Sequence, residues 1–441
     1  MKLEKSLFGL TLLVALIIFT GCSGPLAPAR QAVDSSSALR VIGVEILPDG
    51  TSSETGVLGP GALYEILVPH GWEQGNLVLY AHGYVSPYDE PALPDDLNDS
   101  TKVQLLSQGF AIAYSSFSET GWAVKDGAIR TRQLLGHFKD NYGDPHNVFL
   151  VGGSQGGLIA LLLAEQNPNL FDGVLSISAP LGGGKMQMEY IVHIRVLFDY
   201  FFRETLRSAG FLAALPAELA AAASLLDSAL GGGALDADGS GLPDEVIAPL
   251  VASLLLADPP TAAVMATMVV DNQPLFNWPQ EMVISGAFLP ELVGSITAGL
   301  WFNIYGTQDL LNRTNGHVPV DNRHSVYFSP LLDLVIEDVE RLASHPAGVN
   351  YLTRWYRPNG RLRLPVVTVH TTRDPTVPVW HAHLFREVVE RAGAADFLVQ
   401  FEIDGFGHAE LLLPPGYEES DPEFEVAVLN AFQYLVAWVG P

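Results

Sequence analysis

Short runs rich in β-branched and aromatic residues alternate with helical stretches along most of the chain. From the third run onward the apolar residues are nearly continuous, which is typical of strands buried on both faces of a parallel sheet. Strands are predicted at Val41–Leu47, Ala62–Val68, Leu77–Ala81, Phe110–Ser115, Val148–Val151, Val174–Ser178, Val366–His370 and Phe397–Ile403. Helices are predicted at Lys102–Gln108, Gly127–Asn141, Gln155–Asn167, Trp380–Ala392 and Pro422–Val439. This alternation predicts an α/β fold, with an eight-stranded, mostly parallel sheet covered by helices on both faces.

The pattern changes over residues 183–344, where long stretches rich in alanine and leucine replace the alternating elements. Helical stretches such as Phe211–Leu230 and Val246–Leu256 are broken there by three consecutive glycines and by a pair of prolines, residues that interrupt helices. We therefore predict a helical cap inserted at 183–344 into one core domain, whose two parts are 39–182 and 345–441.

The composition is that of a folded, acidic protein. Hydrophobic residues make up 48% of the 441 residues and charged residues 16%, which excludes a disordered chain. Lys and Arg number 23 against 49 Asp and Glu, a formal net charge of -26. Because such a charge repels a phosphate backbone, we expect no nucleic-acid partner.

The first residues have the pattern of an export signal. Two lysines precede the apolar run Leu7–Phe19, and Cys22, the single cysteine of the chain, follows two small residues. This arrangement resembles the signal of bacterial lipoproteins, which implies cleavage after residue 21 and a lipid on Cys22. We predict a signal peptide at 1–21, a flexible tether at 22–38, and a protein held at the outer membrane or cell surface by its lipid alone. The alternative is an ordinary secretion signal with a chance cysteine.

A serine lies in the turn between a predicted strand and a predicted helix. Gly152-Gly153-Ser154-Gln155-Gly156 has the pattern G-x-S-x-G, in which flanking glycines let a sharp turn hold the serine hydroxyl out above the sheet. The location favours Ser154 as a nucleophile. The alternative is a serine that only caps the helix.

A serine nucleophile needs a base, and an imidazole base needs an acid to orient it. Asp374 follows the strand predicted at Val366–His370, and His408 follows the last predicted strand. The order Ser, Asp, His matches hydrolases with this serine turn. The alternatives are a turn-forming Asp374 before proline and a surface histidine at 408. Competing residues away from the expected strand ends are His381, His383 and Asp404.

Hydrolysis by a serine also requires backbone donors for the oxyanion. The N–H of Gln155, at the positive end of the following helix, is the first candidate. The second should come from the loop after the third predicted strand, where Tyr84 follows His82 and Gly83. We therefore assign the Tyr84 N–H to the oxyanion hole, with a plain turn at Gly83 as the alternative.

Taken together, the strands, the His82-Gly83 loop, Ser154, Asp374 and His408 resemble the α/β-hydrolase superfamily. The resemblance covers about 39–182 and 345–441. The serine turn is also similar to that of acetyl-xylan-esterase-type carboxylesterases and prolyl-oligopeptidase-type peptidases. The chain departs from simple members because 220 residues separate Ser154 from Asp374.

An acidic stretch within the predicted cap is similar to the start of an EF-hand calcium loop. Oxygen-bearing side chains at Asp236, Asp238 and Ser240 precede a glycine at the sixth position. An isoleucine occupies the twelfth position, which leaves Asp244 or Glu245 as a substitute ligand. The stretch is therefore a candidate for structural calcium, with an acidic turn between helices as the alternative.

These observations predict an exported serine hydrolase that cleaves small-molecule or oligomeric carboxylic esters through an acyl-enzyme. The reaction requires no metal or organic cofactor. A serine peptidase of prolyl-oligopeptidase-like type and a catalytically inactive surface-binding lipoprotein are the alternatives. In prolyl-oligopeptidase-type peptidases that trim free amino termini, a pair of glutamates on an early cap helix holds the ammonium group. The stretch after the sixth predicted strand offers Glu189 alone, so esters are favoured, with Glu204, Glu218 or Glu245 brought in by folding as the alternative.

Overall fold

The computed structural model describes residues 39–95, 97–408 and 422–440. The predicted signal peptide, Cys22 and the tether lie outside the described residues. The strands in the described ranges are β1 (Arg40–Ile46), β2 (Ser52–Leu58), β3 (Ala62–Val68), β4 (Leu77–Ala81), β5 (Ala111–Ser115), β6 (Val148–Gly153), β7 (Gly173–Ile177), β8 (Val269–Val270), β9 (Gln273–Pro274), β10 (Tyr327–Ser329), β11 (Leu334–Ile336), β12 (Val366–Arg373) and β13 (Leu398–Phe406). The α-helices are α1 (Asp99–Ser107), α2 (Val124–Tyr142), α3 (Gln155–Gln166), α4 (Gly184–Arg207), α5 (Ala209–Ala214), α6 (Ala217–Leu230), α7 (Ile247–Ala257), α8 (Pro259–Ala266), α9 (Gln280–Ser285), α10 (Leu289–Arg313), α11 (Pro346–Tyr356), α12 (Trp380–Arg391) and α13 (Pro422–Val439).

A large mixed sheet organises the fold. Its strand order is β1-β2-β3-β5-β4-β6-β7-β12-β13. The six strands from β5 to β13 in this order run parallel, while β1, β2 and β3 form an antiparallel edge. The predicted α/β class and the parallel pairing of the continuously apolar strands are therefore confirmed. The predicted strand number was wrong, because the sheet has nine strands within the described residues.

The missed strand is β2, whose sequence contains buried polar residues instead of an apolar run. Glu54 on β2 is buried and accepts hydrogen bonds from the hydroxyls of Tyr64 (2.7 Å) and Tyr142 (2.8 Å), while His137 Nε2 lies 2.6 Å from its carboxylate. A buried carboxylate with partners is compatible with a strand interior. Hydrophobic periodicity alone gives no signal for such a strand.

Helices cover both faces of the large sheet, as predicted. On β4, Leu79 packs into the core formed with α2 and α3, while its neighbour Val78 packs into the second core. In that second core Phe149 of β6 contacts Phe432 of α13, with ring centroids 5.7 Å apart. Successive strand residues point to opposite faces, so the continuous apolar runs are explained by two cores.

The segment between β7 and β12 carries α4 to α11 and a small antiparallel sheet in the order β11-β10-β8-β9. The small sheet was not predicted, since strands of two or three residues are too short to give a periodic signal. The helix predicted at Phe211–Leu230 is instead two helices, α5 and α6. Pro216 lies at their junction, where its missing N–H ends the hydrogen-bonding pattern.

A buried arginine joins three helices of this segment. Arg195 on α4 is fully buried, and its Nε donates to Asp199 at 3.0 Å. Its other nitrogens donate to Asn303 on α10 at 2.6 Å and to the carbonyl of Leu230 on α6 at 2.7 Å. These bonds satisfy the guanidinium and hold α4 in a defined position.

In the described part of the chain, no single helix has the length and apolar character needed to cross a membrane. By length and composition alone, the consecutive segments Asp244–Ala257 and Pro259–Ala266 are together long and apolar enough to cross a membrane, but the chain bends by 110° between them.

Candidate active site

Ser154 lies in a strained turn between β6 and α3. Its φ of 52° is in the left-handed region, which is uncommon for a residue with a side chain. A Cβ at Gly156 would collide with the carbonyl oxygen of Ala81, and one at Gly152 would collide with the backbone of Gly156. The flanking glycines are therefore required by close backbone packing around Ser154.

The structure brings Ser154, His408 and Asp374 together at the carboxyl ends of β6, β12 and β13. His408 Nε2 lies 2.9 Å from Ser154 Oγ. His408 Nδ1 lies 2.9 and 2.8 Å from the two carboxylate oxygens of Asp374. All three side chains are buried. This is the hydrogen-bonded order that a serine nucleophile, its base and the orienting acid require.

Backbone donors hold the Asp374 carboxylate in place. Its Oδ1 accepts hydrogen bonds from the N–H groups of Thr376 and Val377, each at 2.8 Å. Burial raises the pKa of Asp374, but the charge of His408 and the hydrogen bonds from His370 and His408 outweigh burial and lower that pKa to about 2. The carboxylate is therefore ionised beside His408 at neutral pH.

His370, on β12, is a site residue that the sequence reasoning missed. Its Nε2 lies 2.7 Å from the carbonyl oxygen of Val377 and 3.4 Å from Asp374 Oδ2. It therefore contacts both the carboxylate and the loop that carries it. A histidine at the end of an otherwise apolar strand, four residues before Asp374, was the available signal.

The competing residues have other partners. Asp404 is exposed and pairs with Arg373 at 2.7 Å, and His383 pairs with Glu402 at 3.0 Å. His381 is buried and accepts a hydrogen bond from the backbone N–H of Gly182. Burial lowers the pKa of His381 to about 3. Within the described residues, the hydrogen bond of Ser154 Oγ goes to His408 and not to any of these three side chains.

A small pocket of about 20 Å³ opens beside Ser154. Both residues predicted for the oxyanion hole, Gln155 and Tyr84, line it. Its other lining residues are Trp122, Pro180, Gln187, Met188, Ile191, Phe302, Gly306, Thr376 and Val377. Gln155 begins α3, so its N–H lies at the positive end of that helix. The inserted segment contributes part of this wall through α4 and α10.

A larger cavity of about 280 Å³ is lined by other residues of α4, among them Glu189, Tyr190 and His193. Helical spacing puts these residues on the face of α4 opposite to Gln187 and Ile191. Glu189 bonds instead to Lys185 and to the backbone N–H of Asp321. It therefore belongs to the larger cavity and not to the pocket beside Ser154.

The predicted calcium ligands are Asp236, Asp238, Ser240 and Asp244. Asp238 accepts hydrogen bonds from the hydroxyl of Tyr88 at 2.7 Å and from the backbone N–H of Ser240 at 2.9 Å, and Asp244 accepts one from Tyr305. Over the described ranges, no three His, Cys, Asp or Glu side chains form a group that could hold a metal ion. Calcium binding gains no support from this arrangement and stays a prediction.

Comparisons with known proteins find similarity to esterases. Residues 107–188, which include Ser154, match the model of a family described as "Putative esterase". Over 235 residues the chain is 28% identical to a protein named "Putative esterase NocK" from Nocardia uniformis subsp. tsuyamanensis. The alignment covers 47% of this chain and 66% of that relative, slightly less than two thirds of the relative's length.

The fold is similar to that of a solved esterase. Feruloyl esterase B from Aspergillus oryzae superimposes with a TM-score of 0.51 and 12% sequence identity, covering 91% of this chain and 87% of that chain. At this identity the likeness concerns the fold alone, an α/β fold with a large central sheet. The family match and the relative support the prediction of a hydrolase that acts on esters.

Proposed function

We propose that the chain is an exported serine esterase that cleaves carboxylic esters through an acyl-enzyme. The observation that supports this most directly is the buried chain of hydrogen bonds from Asp374 through His408 to Ser154. The position of Ser154 at a strained turn between strand and helix is a second support. The esterase family match over 107–188 favours an ester over other acyl compounds.

In the proposed reaction Ser154 Oγ attacks the ester carbonyl while His408 Nε2 takes the hydroxyl proton. His408 then returns that proton to the departing alcohol, and a water activated by the same imidazole hydrolyses the acyl-enzyme. Asp374 orients the imidazole and stabilises the imidazolium that forms in each step. The reaction proposed here uses no metal or organic cofactor.

The negative oxygen of the tetrahedral intermediate needs preorganised donors. We assign this role to the backbone N–H groups of Gln155 and Tyr84. Their shared position in the wall of the pocket beside Ser154 supports the assignment. The positive end of α3 adds a favourable field at the same point.

The cellular setting is proposed from the sequence. The apolar run before Cys22 and the small residues around it support export, lipid attachment at Cys22 and a location at the outer membrane or cell surface. The test is metabolic labelling with a palmitate analogue, which should mark the wild-type protein and not Cys22→Ser. Equal labelling of both proteins would reject Cys22 as the lipid site.

The catalytic proposal is tested with a fluorophosphonate probe, which reacts with activated serines. The wild type should be labelled, and Ser154→Ala should lose labelling and at least about 10³-fold of its p-nitrophenyl acetate hydrolysis. The control Ser176→Ala, which removes a buried hydroxyl from β7, should label like the wild type. A wild type that resists the probe and hydrolyses no ester would support the inactive alternative.

The same assay separates esterase from peptidase. We expect kcat/KM for p-nitrophenyl esters to exceed that for aminoacyl or proline-containing anilides by at least about a hundredfold after correction for intrinsic reactivity. The position of Glu189 on the far face of α4 supports this expectation, since no carboxylate of α4 lines the pocket beside Ser154. Efficient anilide cleavage with inactivity on esters would reverse the assignment.

A further inference from the structure

Three buried polar atoms in the wall of the Ser154 pocket have no hydrogen-bond partner among the described residues. They are the hydroxyl oxygen of Tyr84 and the Oε1 atoms of Gln155 and Gln187. These side chains belong to residues that are 4%, 2% and 3% exposed, and all three residues line the pocket. Buried polar groups in folded proteins are normally paired. Three exceptions around one small pocket indicate a ligand that supplies the partners.

The hydrogen-bonding roles of the two glutamines are fixed by their amide nitrogens. Gln187 Nε2 donates to the carbonyl of Thr376 at 2.7 Å, and Gln155 Nε2 donates to the carbonyl of Gly121 at 3.3 Å. Each Oε1 atom is therefore left as an acceptor. Both need a donor on whatever occupies the pocket.

The Tyr84 hydroxyl is the hydrogen-bond donor in this wall. Burial raises the pKa of Tyr84 well above its usual value, so the phenol is neutral and has a proton to donate. Its ring is held edge-on by Trp301 and Phe302 at centroid distances of 5.9 and 5.2 Å. A Cβ at Gly306, which also lines the pocket, would lie 3.3 Å from the hydroxyl oxygen. The hydroxyl is thus fixed at the pocket wall.

A hydroxyl group is the smallest substituent that can pair with Tyr84 and with one of the two glutamines, because its single proton goes to one amide oxygen and its own oxygen accepts from the phenol. The other amide oxygen needs a second donor. The pocket volume of about 20 Å³ matches a group of this size. Met188, Ile191 and Phe302 make other parts of the wall apolar.

We propose that the pocket recognises a hydroxyl group next to the scissile ester, so that the substrate is an ester of a hydroxy acid or a partial ester of a polyol. This inference rests on the proposed esterase function. Tyr84 and Gln187 are its specificity-determining side chains. The substrate hydroxyl completes the hydrogen bonds of both, and an analogue without it leaves them unpaired, which disfavours that analogue.

The test compares two matched ester pairs. Methyl lactate and methyl propionate differ by a hydroxyl in the acyl group, and 2-hydroxyethyl acetate and ethyl acetate differ by one in the alcohol. Each kcat/KM is divided by the rate of hydroxide-catalysed hydrolysis of the same ester. The wild type should prefer the hydroxylated member of at least one pair by tenfold or more, and the pair that responds identifies the source of the hydroxyl.

Tyr84→Phe removes the donor and retains the ring, and Gln187→Met removes the acceptor at similar volume. At least one of them should reduce the preference to below about threefold. Met188→Leu changes the same wall without removing a hydrogen-bonding group and should affect both members of a pair alike. The inference is overturned if the wild type discriminates in neither pair, or if the preference survives in both variants.

Fluorophosphonate labelling separates this result from the proposed function. A wild type that is labelled and cleaves esters without discriminating them rejects hydroxyl recognition and keeps the esterase. A wild type that is neither labelled nor active rejects both. Labelling rates of Tyr84→Phe and Gln187→Met show whether a lost preference reflects recognition or a disrupted site.

Discussion

Helix α4 separates two pockets that differ in size and in chemistry. On one face Gln187 and Ile191 border the pocket of about 20 Å³ that contains Ser154. On the other face Glu189 and His193 border a cavity of about 280 Å³. The larger cavity has more room for a ligand, yet Ser154, the proposed nucleophile, lines the smaller pocket.

Burial raises the pKa of both Asp374 and Glu189, but the net pKa shifts of these two carboxylates have opposite signs. Asp374 has donors on several sides, and its pKa falls to about 2. For Glu189, burial outweighs the effect of Lys185 and raises the pKa. A carboxylate held ionised by an imidazole and backbone donors is in the state that the orienting acid of a serine nucleophile requires. The hydrogen bonds that link Ser154, His408 and Asp374, and not pocket volume, mark the proposed active site.

The largest effect should come from Asp374. Asp374→Asn leaves His408 without its ionised partner and should reduce kcat by about 10³- to 10⁴-fold, as loss of the orienting acid does in serine hydrolases. Steady-state hydrolysis of p-nitrophenyl acetate measures the loss. The control Asp404→Asn removes an exposed carboxylate paired with Arg373 and should stay within about threefold of the wild type. If Asp404→Asn reduced kcat more than Asp374→Asn did, Asp404 and not Asp374 would be the orienting acid.

The opposite pKa shifts predict opposite pH dependence of stability. Because the pKa of Asp374 is lowered from 3.8 to about 2, its stabilising contribution is present above about pH 4 and is lost as pH falls toward 2. In urea unfolding, the free energy of unfolding of the wild type minus that of Asp374→Asn should fall by up to about 2 kcal/mol across that pH window.

For Glu189, the contribution to stability should change with pH in the opposite direction. Its pKa is raised above 4.5, so the wild type should lose stability relative to Glu189→Gln as pH rises through 4.5 toward the raised value. Both comparisons use the same urea series at pH 2 to 7. Parallel trends for Asp374→Asn and Glu189→Gln would contradict the contrast between the two carboxylates.

The smallest effect concerns the size of the acyl group. Ile191→Ala enlarges the pocket beside Ser154 and should raise the kcat/KM ratio of p-nitrophenyl butyrate to acetate by about tenfold, a change typical of one or two methylenes in an apolar pocket. His193→Ala enlarges only the cavity on the other face and should leave the ratio within about twofold. Melting temperatures check that both variants are folded. An equal change in the butyrate-to-acetate ratio in both variants would show that the larger cavity also receives substrate.

The sequence predicted the candidate site residues that lie at the ends of strands. Ser154, Asp374 and His408 each follow an apolar strand, and parallel strands bring their carboxyl ends to one edge of the sheet. The structure puts these three side chains within hydrogen-bonding distance of one another. We could predict that these three side chains lie close together because the prediction depends on the direction of parallel strands and not on how side chains pack.

The residues that sequence reasoning missed depend on tertiary packing. Gln187 reaches the site only because α4 lies over Ser154, and no local pattern fixes where an inserted helix packs. His370 reaches Asp374 because the loop after β12 turns back to it. Strand β2 was missed because Glu54 is buried with partners that are distant in sequence. Gln187 and Glu54 depend on contacts between segments far apart in the chain, whereas His370 lies four residues before Asp374 and depends on the course of one loop.

The position of the inserted segment has a consequence for biosynthesis. Strand β7 pairs with β12, and the whole insertion lies between them in the chain. During translation the edge of β7 therefore emerges long before its neighbour, and that edge must stay protected from aggregation until β12 docks. Asp374 and His408 follow β12 and β13 in the chain, so a ribosome-bound chain carries Ser154 before the residues proposed as its acid and base. The proposed catalytic group is therefore incomplete until β13 and His408 have been added.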